Sequence, residues 1–426
     1  MRKCEVNLAH RDNPQSAIGN PQLEEIALRK CDVNLAHRDN PQPAIRNPQL
    51  EDSPIGIYIH LPFCTTKCNY CDFATAPYEE AIAKRYLSAL VQEIEQSDLD
   101  SKLHTVDTIY FGGGTPSLVP EYFIESTLNV LAARFSIQSE PEITLEMNPS
   151  ARESGRTRSY RSLGINRLSI GVQSFDDREL TAMTRAHSAD EARRAVIQAR
   201  DSGFDNTSLD LILGLPRQTA ATFGHSLKTA ASLPIQHLSI YILELHSGTP
   251  LHSEVSSRRT RLPSDDFVAR QYLRLVPSLE AQGLLQYEVS NFARRGFQSR
   301  HNWKYWTRQP YIGFGVSSHS FDGARRWNNT RSLAHYLREV EAGKSPCEQE
   351  NVVGDTDSVR EQLFLGLRTC RGVPADVFNA FSRGNERLLG RWNSFRAHGW
   401  LEKSRGRYRL TTKGYLVSNE ILSELM

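Results

Sequence analysis

A chain of 426 residues, 39% of them hydrophobic, can bury the cores of two or three domains. Its 51 basic and 49 acidic residues balance, which removes any global electrostatic case for nucleic acid or an anionic membrane. No apolar run approaches the roughly 18–20 residues that cross a bilayer, and the N-terminus lacks the apolar core of a secretion signal, so a soluble, cytoplasmic protein is expected.

The first fifty residues are a tandem duplication. RKCEVNLAHRDNPQSAIGNPQLE (2–24) returns as RKCDVNLAHRDNPQPAIRNPQLE (29–51), with three differences. Two polar, Asn-Pro-rich copies fall short of the roughly three that a solenoid core needs. Cys4, Cys31, His10 and His37 lack metal-clip spacing, so residues 1–52 are expected to be disordered.

Three cysteines come next, in IGIYIHLPFCTTKCNYCDF (55–73): Cys64, Cys68 and Cys71. Soft thiolates bunched within eight residues, just after a β-like apolar run, suit a soft metal better than a disulfide. Structural zinc takes four closed ligands. A set of three favours a 4Fe–4S cluster with one iron open to an outside ligand, with zinc the alternative. Scattered remaining cysteines suit a reducing compartment.

From Ile55 onward, short β-branched runs alternate with helical stretches. Strands are predicted at Gly56–His60, Val106–Phe111, Glu142–Met147, Arg167–Val172, Asn206–Leu211 and Leu238–Leu243. Helices are predicted at Glu79–Ser97, Pro120–Phe135, Asp176–Thr184, Ala189–Ser202 and Ala220–Leu233. This alternation is the signature of βα units around a parallel sheet. The predicted class is therefore α/β. In barrels of such units the chemistry gathers at the C-terminal strand ends. That rule brings the cysteine loop, Gly112–Gly114, Glu146, Gln173 and Asp210 to one mouth.

Beyond about residue 255 the alternation fades. Ser264–Gln282 reads as a helix, followed by the aromatic-rich stretch Tyr287–Trp306 and a glycine-rich segment at Gly313–Gly315. The tail pairs helical runs with a hairpin-like stretch from Gly399 to Leu410, the order of a winged helix. The expected divisions are 1–52, 53–255, 256–345 and 346–426.

FGGGTP (111–116) follows a strand, and its glycines let backbone approach a ligand; a tight βα turn is the plainer alternative. Glu146 and Asp210 end apolar strands, where a carboxylate suits ribose hydroxyls or, alternatively, a helix cap. His301 stands among Trp303, Tyr305 and Trp306, in a pattern that fits either a core histidine or a flat-ring ligand site.

These blocks together resemble radical S-adenosylmethionine (SAM) proteins. YIHLPFC narrows the resemblance to the family of oxygen-independent coproporphyrinogen III oxidases and their relatives, the HemW heme chaperones, and it runs from about Ile55 to the C-terminus. It implies a partial (β/α)6 barrel with a mostly helical, winged-helix-like C-terminal domain. It implies a 4Fe–4S cluster on Cys64, Cys68 and Cys71. SAM would bind through Gly113, Gly114 and Thr115 at its amino group, Gln173 and Arg185 at its carboxylate, Glu146 and Asp210 at its ribose, with Tyr58 and Tyr70 beside the sulfonium and adenine.

The pattern HNxxYW (301–306) resembles that of the heme chaperones, which implies heme as a further cofactor and His301 as its axial ligand. In the oxidases a further cysteine stands two residues after the third; here that place is Phe73. The chaperone reading therefore leads. Expected partners are heme or porphyrin and heme-acceptor proteins, with no nucleic acid and with membrane association only peripheral, through acceptors. The alternative is SAM-dependent radical decarboxylation of coproporphyrinogen III in porphyrin biosynthesis.

Overall fold

The structure, a computed structural model, describes residues 53–97 and 105–425. The duplicated segment, and the disorder expected of it, lie outside the described residues.

Six parallel strands form the centre: β1 (Ile55–Leu61), β4 (Thr105–Gly113), β5 (Ser136–Met147), β6 (Arg167–Gln173), β7 (Thr207–Leu213) and β8 (His237–Ile242), hydrogen-bonded in that order. The intervening β2 (Phe63–Cys64) and β3 (Ala76–Pro77) pair with each other at the base of the cysteine loop. Each predicted strand is present, its ends moved by a few residues at most except at β5, which begins at Ser136. Helices α1 (Glu80–Glu95), α2 (Glu121–Arg134), α3 (Asp177–Ala182), α4 (Ala189–Asp201) and α5 (Ala220–Ser232) cover the outer face. Caps fix their starts: Ser188 and Glu191 form a capping box at α4, and Thr219 caps α5.

The strand alternation sorts residues by face. Ile55, Ile57 and Ile59 join the apolar core, together with Leu90 and Ile94 of α1. The opposite face is unusually polar. Thr108 Oγ1 bonds His301 Nδ1 at 2.8 Å, and Ser208, His237 and Tyr287 form a buried chain of 2.7 and 2.9 Å bonds. The barrel interior is thus held by satisfied hydrogen bonds as well as by apolar packing.

Residues 285–352 extend both edges of this sheet. After α6 (Asp265–Glu280), β9 (Leu285–Gln286) and β10 (Asn291–Ala293) add antiparallel beside β8. Helix α7 (Arg300–Thr307) then crosses to β11 (Tyr311–Phe314), which runs parallel to β1. Antiparallel β12 (His319–Phe321), β13 (Arg325–Asn329) and β14 (Cys347–Val352) complete a twelve-stranded sheet. The glycine-rich segment is strand only at Gly313, where a side chain would sit 2.4 Å from the His319 carbonyl, so only glycine lets β11 and β12 close; Gly315 turns out of the strand with φ of +95°.

After α8 (Leu333–Glu341) and α9 (Asp355–Leu367), the tail builds a three-stranded sheet of β15 (Val373–Pro374), β17 (Arg407–Leu410) and β16 (Leu401–Ser404) against α10 (Ala375–Phe381) and α11 (Glu386–Ala397). Its core is aromatic: Phe378 stacks on Trp392 at 3.8 Å, with Tyr408 edge-on to both. It is anchored to the barrel through Glu361, which pairs with Arg308 and Arg326, and through Arg371 over the Trp303 ring at 4.2 Å. This is the helical, winged C-terminal unit expected.

Candidate functional site

A cavity of about 410 Å³ opens at the C-terminal ends of the parallel strands. It is lined by Tyr58, Cys64, Cys68, Tyr70, Cys71, Gly113, Gly114, Thr115, Glu146, Gln173, Arg185, Asp210 and His301, so each residue assigned to cluster, SAM or heme in the sequence reaches it, while Gly112, Trp303 and Trp306 do not.

The cysteine loop is pinned at several points. The His60 ring bonds the Tyr58 hydroxyl at 3.1 Å and the Ala74 carbonyl at 3.0 Å. Asn69 Nδ2 donates to the Ala182 carbonyl at 3.0 Å, and its backbone N–H donates to Thr184 Oγ1 at 2.9 Å. His246 sits 3.4 Å from Asp72 and 3.3 Å from Glu244, linking the loop to the end of β8. Burial pushes the Cys64 thiol up and the Cys71 thiol up to about 12. Thiols held protonated this way are deprotonated once they ligate a metal. Three free thiols facing a cavity larger than one ion fit a multi-iron cluster. Among the described residues no three His, Cys, Asp or Glu side chains close around a single ion.

The FGGGTP turn shows how its glycines are used. Gly113 has φ of +114°, and a Cβ there would lie 2.8 Å from the His60 ring; a Cβ on Gly114 would lie 2.7 Å from the Phe63 carbonyl oxygen. The amides of this turn are consumed within the protein. Gly113 N–H donates to Glu146 at 3.2 Å, Gly114 N–H to the Leu61 carbonyl and Thr115 N–H to the Phe63 carbonyl, both at 2.8 Å. The turn is thus left to meet a ligand with carbonyl oxygens, which suit an ammonium group.

Glu146 also accepts from the Tyr110 hydroxyl at 2.8 Å. Asp210 has longer contacts, 3.4 and 3.5 Å from Ser169 Oγ. Burial raises both carboxyls, Glu146 to about 7 and Asp210 to about 6. Neither has a salt bridge among the described residues, so both retain acceptor capacity for hydroxyl donors.

Arg185 faces this pair across the mouth. Its Nη2 is fixed by Asn148 Oδ1 and the Gly171 carbonyl, each at 2.6 Å, and its Nη1 lies 3.5 Å from Cys68 Sγ. Its Nε is buried with no partner, an open donor beside the cluster loop that suits a carboxylate. Gln173 reaches the cavity through a β-bulge and a left-handed backbone with φ of +70°; Thr184, just before Arg185, has φ of +52°. Non-glycine residues in that region cost of order 1–3 kcal/mol each and gather at ligand sites.

His301 differs from the open axial ligand expected. It is 1% exposed, Nδ1 faces Thr108, Nε2 bonds the Tyr305 hydroxyl at 2.8 Å, and burial lowers its pKa to about 3. The imidazole is a neutral internal link with both nitrogens engaged. Helical periodicity also divides HNWKYW: His301, Asn302 and Tyr305 line the cavity, whereas Trp303 packs on Tyr287 and Arg371 and Trp306 is buried in the core. The two tryptophans and the histidine therefore cannot face one flat ligand. The aromatic lining comes instead from tyrosines at 58, 70, 110, 241, 305 and 311.

Tyr110, Asn148, Ser169 and Tyr241 were not singled out in the sequence. Period-2 alternation from the anchors would have found two of them: Tyr110 precedes Gly112 and Asn148 follows Glu146; the bulge between Gly171 and Gln173 breaks the alternation that would lead from Gln173 to Ser169.

A three-thiol loop at the mouth of a partial parallel barrel, facing a glycine turn, a carboxylate at the end of β5, another midway along β7, and an arginine, defines a radical SAM protein. A family model of the Radical SAM superfamily matches residues 58–230, and one of the HemN C-terminal domain matches residues 355–417. The chain is 32% identical over 372 residues to the heme chaperone HemW of Bacillus subtilis (87% of this chain, 98% of that one). It is also 32% identical over 374 residues to HemW of Escherichia coli (87% and 97%). The mouse protein named radical S-adenosyl methionine domain-containing protein 1, mitochondrial, is 33% identical over 385 residues (87% and 85%). The solved E. coli coproporphyrinogen III oxidase HemN shares the fold, with a TM-score of 0.77 at 23% identity over 88% of this chain and 90% of that one. The chain belongs to the radical SAM family of coproporphyrinogen oxidase-like proteins that includes the HemW heme chaperones. Among the described residues, no helix is long and apolar enough to cross a membrane.

Proposed function

We propose that this protein is a heme chaperone that holds a 4Fe–4S cluster and SAM at the barrel mouth and delivers heme to acceptor proteins. The observation that carries the reading is the nearly full-length correspondence with HemW chaperones, together with Phe73 at the place where the oxidases carry a further cysteine. Cys64, Cys68 and Cys71 would hold the cluster, leaving one iron for the amino-acid end of SAM. When bound, the cluster supplies an electron and an open coordination position.

The chain's own residues bind and orient. Arg185 Nε–H would donate to the SAM carboxylate, the FGGGTP carbonyls would accept from its ammonium, and Glu146 and Asp210 would accept from the ribose hydroxyls. Tyr58, Tyr70 and Tyr110 wall the site against water. A cavity of about 410 Å³ is the size of a single small-molecule site.

The test is anaerobic reconstitution with iron and sulfide, followed by heme titration and a coproporphyrinogen decarboxylation assay. One cluster per chain, lost in Cys68→Ala, and heme binding near one per chain without protoporphyrinogen formation are expected. Stoichiometric zinc without iron would overturn the cluster. Sustained coproporphyrinogen turnover with SAM consumption would restore the oxidase reading.

A further inference from the structure

We infer that Asn148 is a positioning residue for both the cluster and SAM: its one amide orients Arg185 on one side and directs the Thr115 hydroxyl onto the Cys64 sulfur on the other. This rests on reading Cys64, Cys68 and Cys71 as cluster ligands and Arg185 as the partner of the SAM carboxylate; heme has no part in it.

Four contacts close a circuit. Arg185 Nη2 donates to Asn148 Oδ1 at 2.6 Å, and Asn148 Nδ2 donates to Thr115 Oγ1 at 3.0 Å. Thr115 Oγ1 lies 3.6 Å from Cys64 Sγ, and Arg185 Nη1 donates to Cys68 Sγ at 3.5 Å. The cysteine loop is thereby tied to three distant segments: the glycine turn after β4, the residue just beyond β5, and the loop between α3 and α4. Local sequence prepares this. Pro149 biases Asn148 toward extended backbone, which carries the strand direction past Glu146 and keeps both side chains on the cavity face.

Donor capacity fixes the direction of every bond. A guanidinium only donates, so the amide turns its oxygen to Arg185 and its NH2 to Thr115. That NH2 fills an acceptor position on the Thr115 hydroxyl and leaves the hydroxyl proton for sulfur. A Cys64 thiolate has no proton, so Thr115 is the donor of that pair. Two of the three thiolates thus receive one donor each, an O–H at Cys64 and an N–H at Cys68, and Asn148 holds both donors. Hydrogen bonds to cluster sulfurs favour the more negative, reduced state and so raise its potential. Asparagine suits this place better than its isosteres. Leucine offers neither bond. Aspartate would accept from Arg185 and Thr115 alike and turn the Thr115 proton away from sulfur.

The test is anaerobic reconstitution with iron and sulfide measured on each variant, then a redox titration of the cluster followed by EPR and an equilibrium titration with SAM. Asn148→Leu and Thr115→Val should each move the midpoint potential about 30–60 mV more negative, a roughly three- to tenfold change in a one-electron equilibrium. In the double variant the shift should fall short of the sum of the two, because both act through one circuit. Thr115→Ser, which keeps the hydroxyl, should retain the wild-type potential. Asn148→Leu should also weaken SAM binding about fivefold, the loss of one hydrogen bond that orients Arg185. Should Asn148→Leu lose its cluster, Asn148→Ala makes the same cut with less bulk. Wild-type potentials in Thr115→Val and the Asn148 variant, or fully additive shifts, would overturn the circuit. Wild-type SAM affinity in the Asn148 variant would overturn its hold on Arg185. A wild-type protein that takes up no iron would instead remove the cluster reading itself.

Discussion

Arg185 Nη1 lies 3.5 Å from Cys68 Sγ, so the cysteine loop and the arginine between α3 and α4 meet across 117 residues of sequence. The contact orients a guanidinium whose Nη2 is already held by Asn148 and Gly171, and whose Nε remains without a partner. Replacing Arg185 by Ala should remove one or two charge-assisted bonds to the SAM carboxylate, roughly 1.5–3 kcal/mol each, and weaken SAM binding at least tenfold. Equilibrium binding on the reconstituted protein checks this. Lysine should recover only part of the loss, because it lacks the planar fork. Unchanged SAM affinity in Arg185→Ala would place the carboxylate elsewhere.

Glu146 and Asp210 give the site a pH dependence. Burial raises their pKa values from 4.5 and 3.8 to about 7 and about 6. The folded protein therefore holds protons that the unfolded chain has lost. Their contribution to stability is fully present below about pH 4 and is lost as pH rises through about 6–7. Binding runs the other way, because ribose hydroxyls donate best to ionised carboxylates. SAM affinity should rise between pH 5.5 and 7.5, and calorimetry should show a flatter profile in Asp210→Asn. An identical profile in Asp210→Asn and Glu146→Gln would remove both groups from the pocket.

His301→Ala should act on the fold more than on heme. It leaves the Thr108 and Tyr305 hydroxyls without their shared partner and opens a void beneath Tyr110, whose ring stacks on the imidazole at 5.2 Å. The expected cost is about 2–4 kcal/mol, from unmade buried hydrogen bonds and the cavity. Denaturant unfolding measures it. A wild-type stability would show that these bonds contribute nothing net.

Removing residues 1–52 should leave the cluster content and melting temperature unchanged. The duplicated copies are polar and Asn-Pro-rich, and the relatives named above match 87% of this chain. A fall of several degrees on truncation would mean that the duplication packs on the folded part.

Much of this architecture is written locally. The six parallel strands follow from β-branched runs between amphipathic helices, and the cluster loop, the glycine turn and the strand-end acids follow from residue type and spacing. Those features depend on short-range periodicity and on chemistry that few residues can supply. Alternation alone also sends Tyr58, Tyr110, Glu146, Ser169 and Asp210 to one face, which is why one cavity gathers positions spread over 150 residues.

Other features depend on contacts between distant segments. Nothing local marks Gly313 as strand; β11 exists because β1 offers a parallel edge and β12 backs closely against it. The amides of FGGGTP are spent on β1, β2 and Glu146, so that it can meet a ligand only with acceptors is visible once those partners are in place. Likewise HNWKYW reads as one aromatic cluster in sequence, but α7 is wedged between the barrel and the C-terminal unit. Its helical turn sends His301 inward to Thr108 and Trp303 outward to Arg371. Residue type and spacing determined what chemistry the chain carries; long-range packing, through burial and the competition for hydrogen-bond partners, decided which atoms remain available to perform it.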